Sequence, residues 1–454
     1  MALTRWAGAA CHAARHRRAV RAPVLEWRMA TSRSIPALVA ATATVLTAAA
    51  CAADPGGAPT ATATTTATPG AGVTDDATVS GADEVPALDI EVIADGLEHP
   101  WEIAFLDGGG ALVTERPGRI VHLETLEPGT AVRRVDASLG DVYARGEGGL
   151  MGIAVHPLPP GAGPVQFTTC QAYAEGGRPV DVRLRAWELS PDAASAQQVR
   201  DTVTGLPLNP SGRHSGCRLT FAPDRTLLVG TGDTADGRLP QDLTSLGGKV
   251  LRVDATGGPV PAGNPFVDAA DPAQRLVYSY GHRNVQGVAV RPGSAGFPNA
   301  EVGAQVVTAE HGPDRDDEIN LLIRGGNHGW DPSRGGTVGG YDESVPMTDL
   351  DRFPDAVAAL WSTGAPTEAF AGADFLAGPQ WGALDGALVV AELKASQVRA
   401  FTLDEDGAVI ETWILPETDG TFGRLRAARL GPDGALYLTT DNGRDDKVLR
   451  VTPH

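Results

Sequence analysis

Short, mainly apolar runs of about five or six residues alternate along most of this chain with polar turns rich in glycine, proline and aspartate. Runs 101–106, 111–115 and 119–123 show the pattern. Short apolar runs bounded by turns predict strands, and no long segment keeps the 3.6-residue spacing of an amphipathic helix. One unit recurs: an apolar strand, a tight polar turn, a second apolar strand, then an acidic or glycine end. It occupies 219–233 and returns at 429–441, with a diverged copy starting at Trp101. Hairpins repeated over about 370 residues predict an all-β fold, a six-bladed β-propeller with about 60 residues per blade. The last apolar run, 448–451, is expected to pair with 90–93 and close the ring. A pair of β-sandwiches would also hold hairpins in series, but gives no reason for the unit to recur at both middle and end.

Composition narrows the picture. The 56 glycines and 34 prolines suit a turn-rich β protein. A net charge of −19 argues against nucleic acid as a partner. Residues 1–28 carry scattered Arg and His with no core pattern and read as a non-native extension, with Met29 the better start. Residues 29–51 resemble a lipoprotein signal peptide: a short basic start to Arg33, a small apolar stretch over 35–50, then Cys51 as the lipid-bearing residue. Ala48 stands where such signals usually carry Leu. Residues 52–83 form an Ala/Thr/Pro tether, and the folded domain covers 84–454. The protein is therefore expected outside the cytoplasm, touching the membrane only through lipid on Cys51, with plain secretion as the alternative. Cys170 and Cys217 remain, as one disulfide in that oxidising setting or as two buried thiols.

His214 lies on a loop flanked by Gly212 and Gly216, ahead of a strand–turn–strand unit that ends at Asp233. A histidine so placed can take a proton near neutral pH, and an aspartate returning on the next strand can fix its tautomer. Further on come Arg283 and Asn284, an acidic run at Asp316, Asp317 and Glu318, then Lys394 and the pair Arg424/Arg426. Two arginines two apart on a strand face one side, and like charges so close call for an anion between them. The acidic run taken alone reads as a solvated face. A base beside fixed cations points to a polyanionic redox cofactor. No zinc signature, dinucleotide fingerprint, nucleophile elbow or Walker loop is present.

Many short pieces, in order, resemble the glucose/sorbosone dehydrogenase family. They run from His-Pro-Trp-Glu-Ile-Ala-Phe at 99–105 through Thr-Glu-Arg-Pro-Gly-Arg at 114–119 and Gly-Glu-Gly-Gly-Leu at 146–150. The His214 and Asp233 segments, Gly-Gly-Lys-Val-Leu-Arg at 247–252 and Gly-Asn-Pro-Phe at 263–266 follow. Arg283-Asn284, Gly312-Pro313, Gly-Asn-His-Gly-Trp at 326–330, Lys394 and Gly-Arg-Leu-Arg at 423–426 complete the set. The resemblance implies a six-bladed propeller that binds pyrroloquinoline quinone and calcium at its centre and oxidises aldose sugars at C1 to the lactone, passing electrons to an external acceptor. His214 would be the base, oriented by Asp233. Glu147, Arg283, Asn284, Lys394, Arg424 and Arg426 would contact the quinone, with Arg283 also stabilising charge on its reduced form. The carbonyls of Gly312 and Pro313 would hold calcium, and Glu318 with the His328 carbonyl a second, structural ion.

Three positions depart from the family pattern. Glu147 replaces a common Gln, and a carboxylate beside an anionic cofactor must be protonated or paired. Cys217 replaces a small residue, and a bond to Cys170 would stiffen the catalytic loop. His328 stands where Tyr is common. Two other functions compete. One is a non-catalytic propeller used as a binding module, which gives no reason to keep the cations beside His214. The other is a calcium-dependent lactonase, which would require carboxylates and Asn around a central metal where this chain has Arg and Lys.

Overall fold

The computed structural model describes residues 85–157, 159, 163–333 and 340–454. The extension, the signal-like segment with Cys51 and the tether lie outside the described residues. The regular elements of the described chain are strands, apart from two short 3-10 turns at Gln274–Leu276 and Pro379–Leu384.

Six four-stranded antiparallel sheets follow one another along the sequence. Their innermost strands are Pro100–Phe105, Leu150–Val155, Gly216–Phe221, Val285–Val290, Phe370–Phe375 and Leu425–Leu430, and each packs against the next around a closed ring. The ring closes by strand exchange. Leu88–Leu97 forms the outer strand of the last blade, with Ile90 opposite Val451 and Val92 opposite Leu449. The earliest and latest parts of the domain are thereby hydrogen-bonded, and neither end of the sheet series is left to fray.

Apolar faces of neighbouring blades form the core. Leu112 and Ile120 of the first blade meet Ile153, Phe167 and Trp187 of the second. Leu184 and Met151 of the second meet Leu219, Val229 and Leu251 of the third. Near the axis the backbones come so close that side chains are excluded. A Cβ on Gly152 would lie 2.2 Å from the Cys217 carbonyl, and one on Gly372 would lie 2.8 Å from Ala427 Cα.

Each innermost strand begins with a register shift, as between Gly216 and Arg218, Val285 and Gly287, and Leu425 and Ala427. A bulge turns its extra residue off the regular pleat. The start of each innermost strand pairs with the end of the second strand: Gly216 with Thr231, Val285 with Glu310, Phe370 with Glu392, Leu425 with Thr440. His214, Asp233, Arg283, His311, Lys394 and Arg424 therefore all emerge on one face of the ring. Just inside, the axis is closed by polar groups: buried Arg218 pairs with Glu102 and stacks 4.1 Å over Trp101, and Arg429 donates to the same carboxylate at 2.8 Å.

Candidate active site

The His214 loop is held in a conformation that side chains seldom adopt. His214 and Cys217 have φ of 56° and 72°, in the left-handed region. Glycines on either side allow the crowding that maintains it: a Cβ on Gly212 would lie 1.6 Å from the Arg145 carbonyl, and one on Gly216 2.4 Å from Thr231. A disulfide between Cys170 and Cys217 ties the second blade to the first strand of the third, three residues beyond His214. The cysteine pair is thus a disulfide and not two free thiols.

His214 Nδ1 lies 2.7 Å from Asp233 Oδ1. That carboxylate is buried and fully engaged. Oδ1 also accepts from Ala235 N at 2.8 Å, while Oδ2 accepts from Trp330 Nε1 and the Tyr341 hydroxyl, each at 2.8 Å. Burial alone would raise its pKa, but His214, Arg283 and the Trp330 bond outweigh burial and hold it below the usual carboxylate range. Tyr341 is pushed up by burial and by Asp233, and stays a donor. With an ionised Asp233 on Nδ1, the neutral imidazole keeps its proton there and presents Nε2 as the basic nitrogen.

Nε2 opens on a cavity of about 890 Å³ lined by Glu147, Arg213, Arg283, Asn284, Tyr341 and Glu343 among others. Arg283 Nη2 lies 3.1 Å from Nε2 and donates to Glu343 Oε1 at 2.8 Å; its Nη1 donates to the His311 carbonyl at 2.6 Å. Arg283 Nε is buried with no partner among the described residues. Glu147 is hydrogen-bonded through one oxygen: Oε2 accepts from His214 N at 3.3 Å and Asn284 Nδ2 at 3.2 Å. Burial opposes its ionisation, but His214, His311 and Arg426 prevail and lower its pKa.

The two late arginines differ from the sequence expectation. Arg424 precedes the strand Leu425–Leu430 and is exposed, whereas Arg426 sits at the bulge and is buried. For Arg426 the protein itself supplies an anion. Asp441 accepts from Arg426 Nε at 3.0 Å and Nη2 at 2.5 Å, and Arg426 Nη1 reaches Gln286 Oε1 at 3.3 Å. Arg116, Arg424 and Lys394 form no ion pair among the described residues. Arg116 is within electrostatic reach of Glu147, Arg424 and Arg426, and burial is the main cause lowering its pKa and that of Arg424. Lys394 is exposed on the same face, two residues beyond the strand Leu388–Glu392.

Of the residues expected at metal, Pro313 lines the cavity, while the Gly312 carbonyl accepts from His311 Nδ1 at 2.6 Å. Glu318 is buried, so it belongs to no solvated charge run. Burial, then the neighbouring Glu310, push its pKa up to about 8, and Thr348 and Asn320 hydrogen-bond it. Asn320 Oδ1 is buried without a partner among the described residues. The His328 ring stacks on His282 at 4.2 Å with both nitrogens unpartnered there, and burial keeps it neutral.

Tyr341, Glu343, Arg213 and Arg116 are the site residues that sequence reasoning missed. Arg213 and Arg116 lay inside quoted motifs and could have been weighed as cations. Tyr341 and Glu343 follow the undescribed 334–339 in a segment without periodicity, and only the folded chain brings them to His214.

Comparisons with known proteins agree with this geometry. The profile of the Glucose / Sorbosone dehydrogenase family matches residues 97–450. The aldose sugar dehydrogenase YliI of Escherichia coli K12 is 29% identical over 368 residues, covering 81% of this chain and 93% of that protein. A putative oxidoreductase (glucose dehydrogenase) of Thermus thermophilus superimposes with a TM-score of 0.64 at 34% identity, over 80% of this chain and 100% of that one. The PQQ-bound form of an aldose sugar dehydrogenase from Streptomyces coelicolor gives 0.62 at 27% identity, over 81% and 100%. Sequence span and ring architecture thus converge: the chain belongs to the glucose/sorbosone dehydrogenase family.

Proposed function

We propose that this protein is a quinoprotein aldose sugar dehydrogenase that oxidises the sugar at C1 to the lactone. One observation carries the reading: the Asp233-held His214 opens on a cavity whose face also bears Arg283 and three cations without ion pairs among the described residues, in a chain of net charge −19. A tricarboxylate fits such a face. Arg116, Arg424 and Lys394 have donors to give, and Arg283 Nε is a buried donor in want of an acceptor. Pyrroloquinoline quinone, when bound, supplies the acceptor for the hydride leaving C1.

His214 Nε2 removes the proton of the C1 hydroxyl as that hydride departs. Asp233 then stabilises the imidazolium it has oriented. Arg283 faces the same space and offers a fixed positive charge to anionic character that develops there. Trp330 and Tyr341 keep Asp233 from rotating away. An oxygen-seeking cation fits the chain in two places: the carbonyls of Gly312 and Pro313 near the cavity, and Glu318 with the orphaned Asn320 Oδ1 and the His328 carbonyl. Calcium at the first place would act as a Lewis acid on the cofactor. The signal-like segment ending at Cys51 supports a lipid-tethered, extracytoplasmic enzyme that passes electrons to a separate acceptor.

Reconstitution tests the reading. The apoprotein should reduce an artificial dye with aldoses only after quinone and calcium are added. No quinone binding and no dye reduction over a broad aldose panel would leave the binding-module reading.

A further inference from the structure

We propose that Glu343, braced by Arg213 and Arg283, reads a hydroxyl of the sugar beside the reacting carbon and so sets substrate preference. The proposal rests on the sugar dehydrogenase reading. Residues 341–343 reach the site at two levels. Tyr341 points inward to Asp233, while Glu343 lines the cavity with its side chain 37% exposed. Its Oε1 is immobilised by two guanidinium groups, Arg213 Nη2 at 3.0 Å and Arg283 Nη2 at 2.8 Å. Among the described residues no hydrogen bond reaches Oε2. A carboxylate with one oxygen fixed and the other open on a cavity is an acceptor for a hydroxyl.

Position gives this acceptor its meaning. The single nitrogen Arg283 Nη2 touches both Glu343 Oε1 and His214 Nε2. The hydroxyl acceptor and the base therefore stand one guanidinium nitrogen apart, a gap that one pyranose ring can span. With the C1 hydroxyl on Nε2, a neighbouring ring hydroxyl falls to Glu343. Arg213 adds donors from the rim, its side chain 42% exposed. A neutral sugar with that hydroxyl suits the wall, and a deoxy analogue leaves the carboxylate without its partner.

The test compares D-glucose with its monodeoxy analogues on reconstituted wild type and Glu343→Gln. Wild type should disfavour one analogue by roughly ten- to a hundredfold in kcat/KM, the size of a hydrogen bond to a charged group. In the variant glucose should fall by that factor and the analogue should not, so the ratio collapses. Titration calorimetry of the same pair into reduced holoprotein, where no turnover occurs, should give the same collapse in Kd and also establishes that the variant is folded. An unchanged ratio, or an equal fall for both sugars, overturns the assignment and leaves Glu343 a brace. Quinone-loaded wild type that oxidises no aldose instead sinks the dehydrogenase reading itself.

Discussion

Arg283 Nη2 lies 3.1 Å from His214 Nε2, the imidazole nitrogen that Asp233 does not hold. The base and the cation thus share one hydrogen-bonding position, and an incoming hydroxyl has to enter between them. Glu343 holds the same guanidinium nitrogen at 2.8 Å. Removing the base should therefore abolish proton transfer and leave the cationic face intact. His214→Ala is expected to lower kcat by about 10²–10⁴ with quinone affinity unchanged. Equilibrium quinone titration beside steady-state kinetics checks both halves, and retained turnover would reject the base.

Asp233 and Tyr341 should separate cleanly. Asp233→Asn turns an acceptor toward Nδ1 into an amide that can place a donor there, and so favours the wrong tautomer. The expected fall in kcat is about 10³–10⁴. Tyr341→Phe removes one hydrogen bond from an ionised carboxylate that keeps three others, a loss of about 1.5–3 kcal/mol, or roughly ten- to a hundredfold in kcat. Equal losses in the two variants would mean that Tyr341 acts on the substrate and not only through Asp233.

How much of this could be read beforehand follows from the range of each interaction. Hairpins are local, so short apolar runs and turn residues predicted the blades, and the repeated unit predicted their closure through 90–93 and 448–451. Asp233 was legible for the same reason, since it ends the hairpin that His214 begins. The placement of Arg424 and Arg426 was not. A bulge at Leu425–Ala427 breaks the two-residue period on which the same-face inference rested. Asp441 stood in the quoted repeat at 429–441, but its pairing with Arg426 depends on how two strands of one blade meet. Tyr341 and Glu343 arrive from an irregular segment far along the chain, where no periodicity marks which side chains turn inward.

The disulfide should matter to stability and rate together. Cys170 and Cys217 are 47 residues apart and both buried, and their bond crosses from one blade to the next. Chain entropy for a loop of that size gives about 4 kcal/mol, and measured values usually fall at about 2–4. Replacing both with Ala should lower the unfolding free energy by about 2–4 kcal/mol in a denaturant titration. It should also loosen the left-handed turn that carries His214 and reduce kcat. Lost stability with kcat intact would show that the glycine crowding alone holds the catalytic loop.

Stability should fall on mild acidification through His156, on the side of the ring away from the site. Its ring is 2.8 Å from Thr168 Oγ1 and meets Phe221 edge-on. Burial, assisted by Arg200, pushes its pKa down from 6.5 to about 4. Between those values the unfolded chain takes up a proton that the folded chain refuses. Stability present above pH 6.5 is therefore lost as pH falls toward 4, by about 2–3 kcal/mol at most. His156→Gln can keep a bond to Thr168 without titrating. Denaturant midpoints measured from about pH 7.5 to 4.5 should fall less steeply for this variant than for wild type, most visibly between about pH 6.5 and 5, above the range in which the paired carboxylates protonate. Parallel slopes would show that the acid loss belongs to another group.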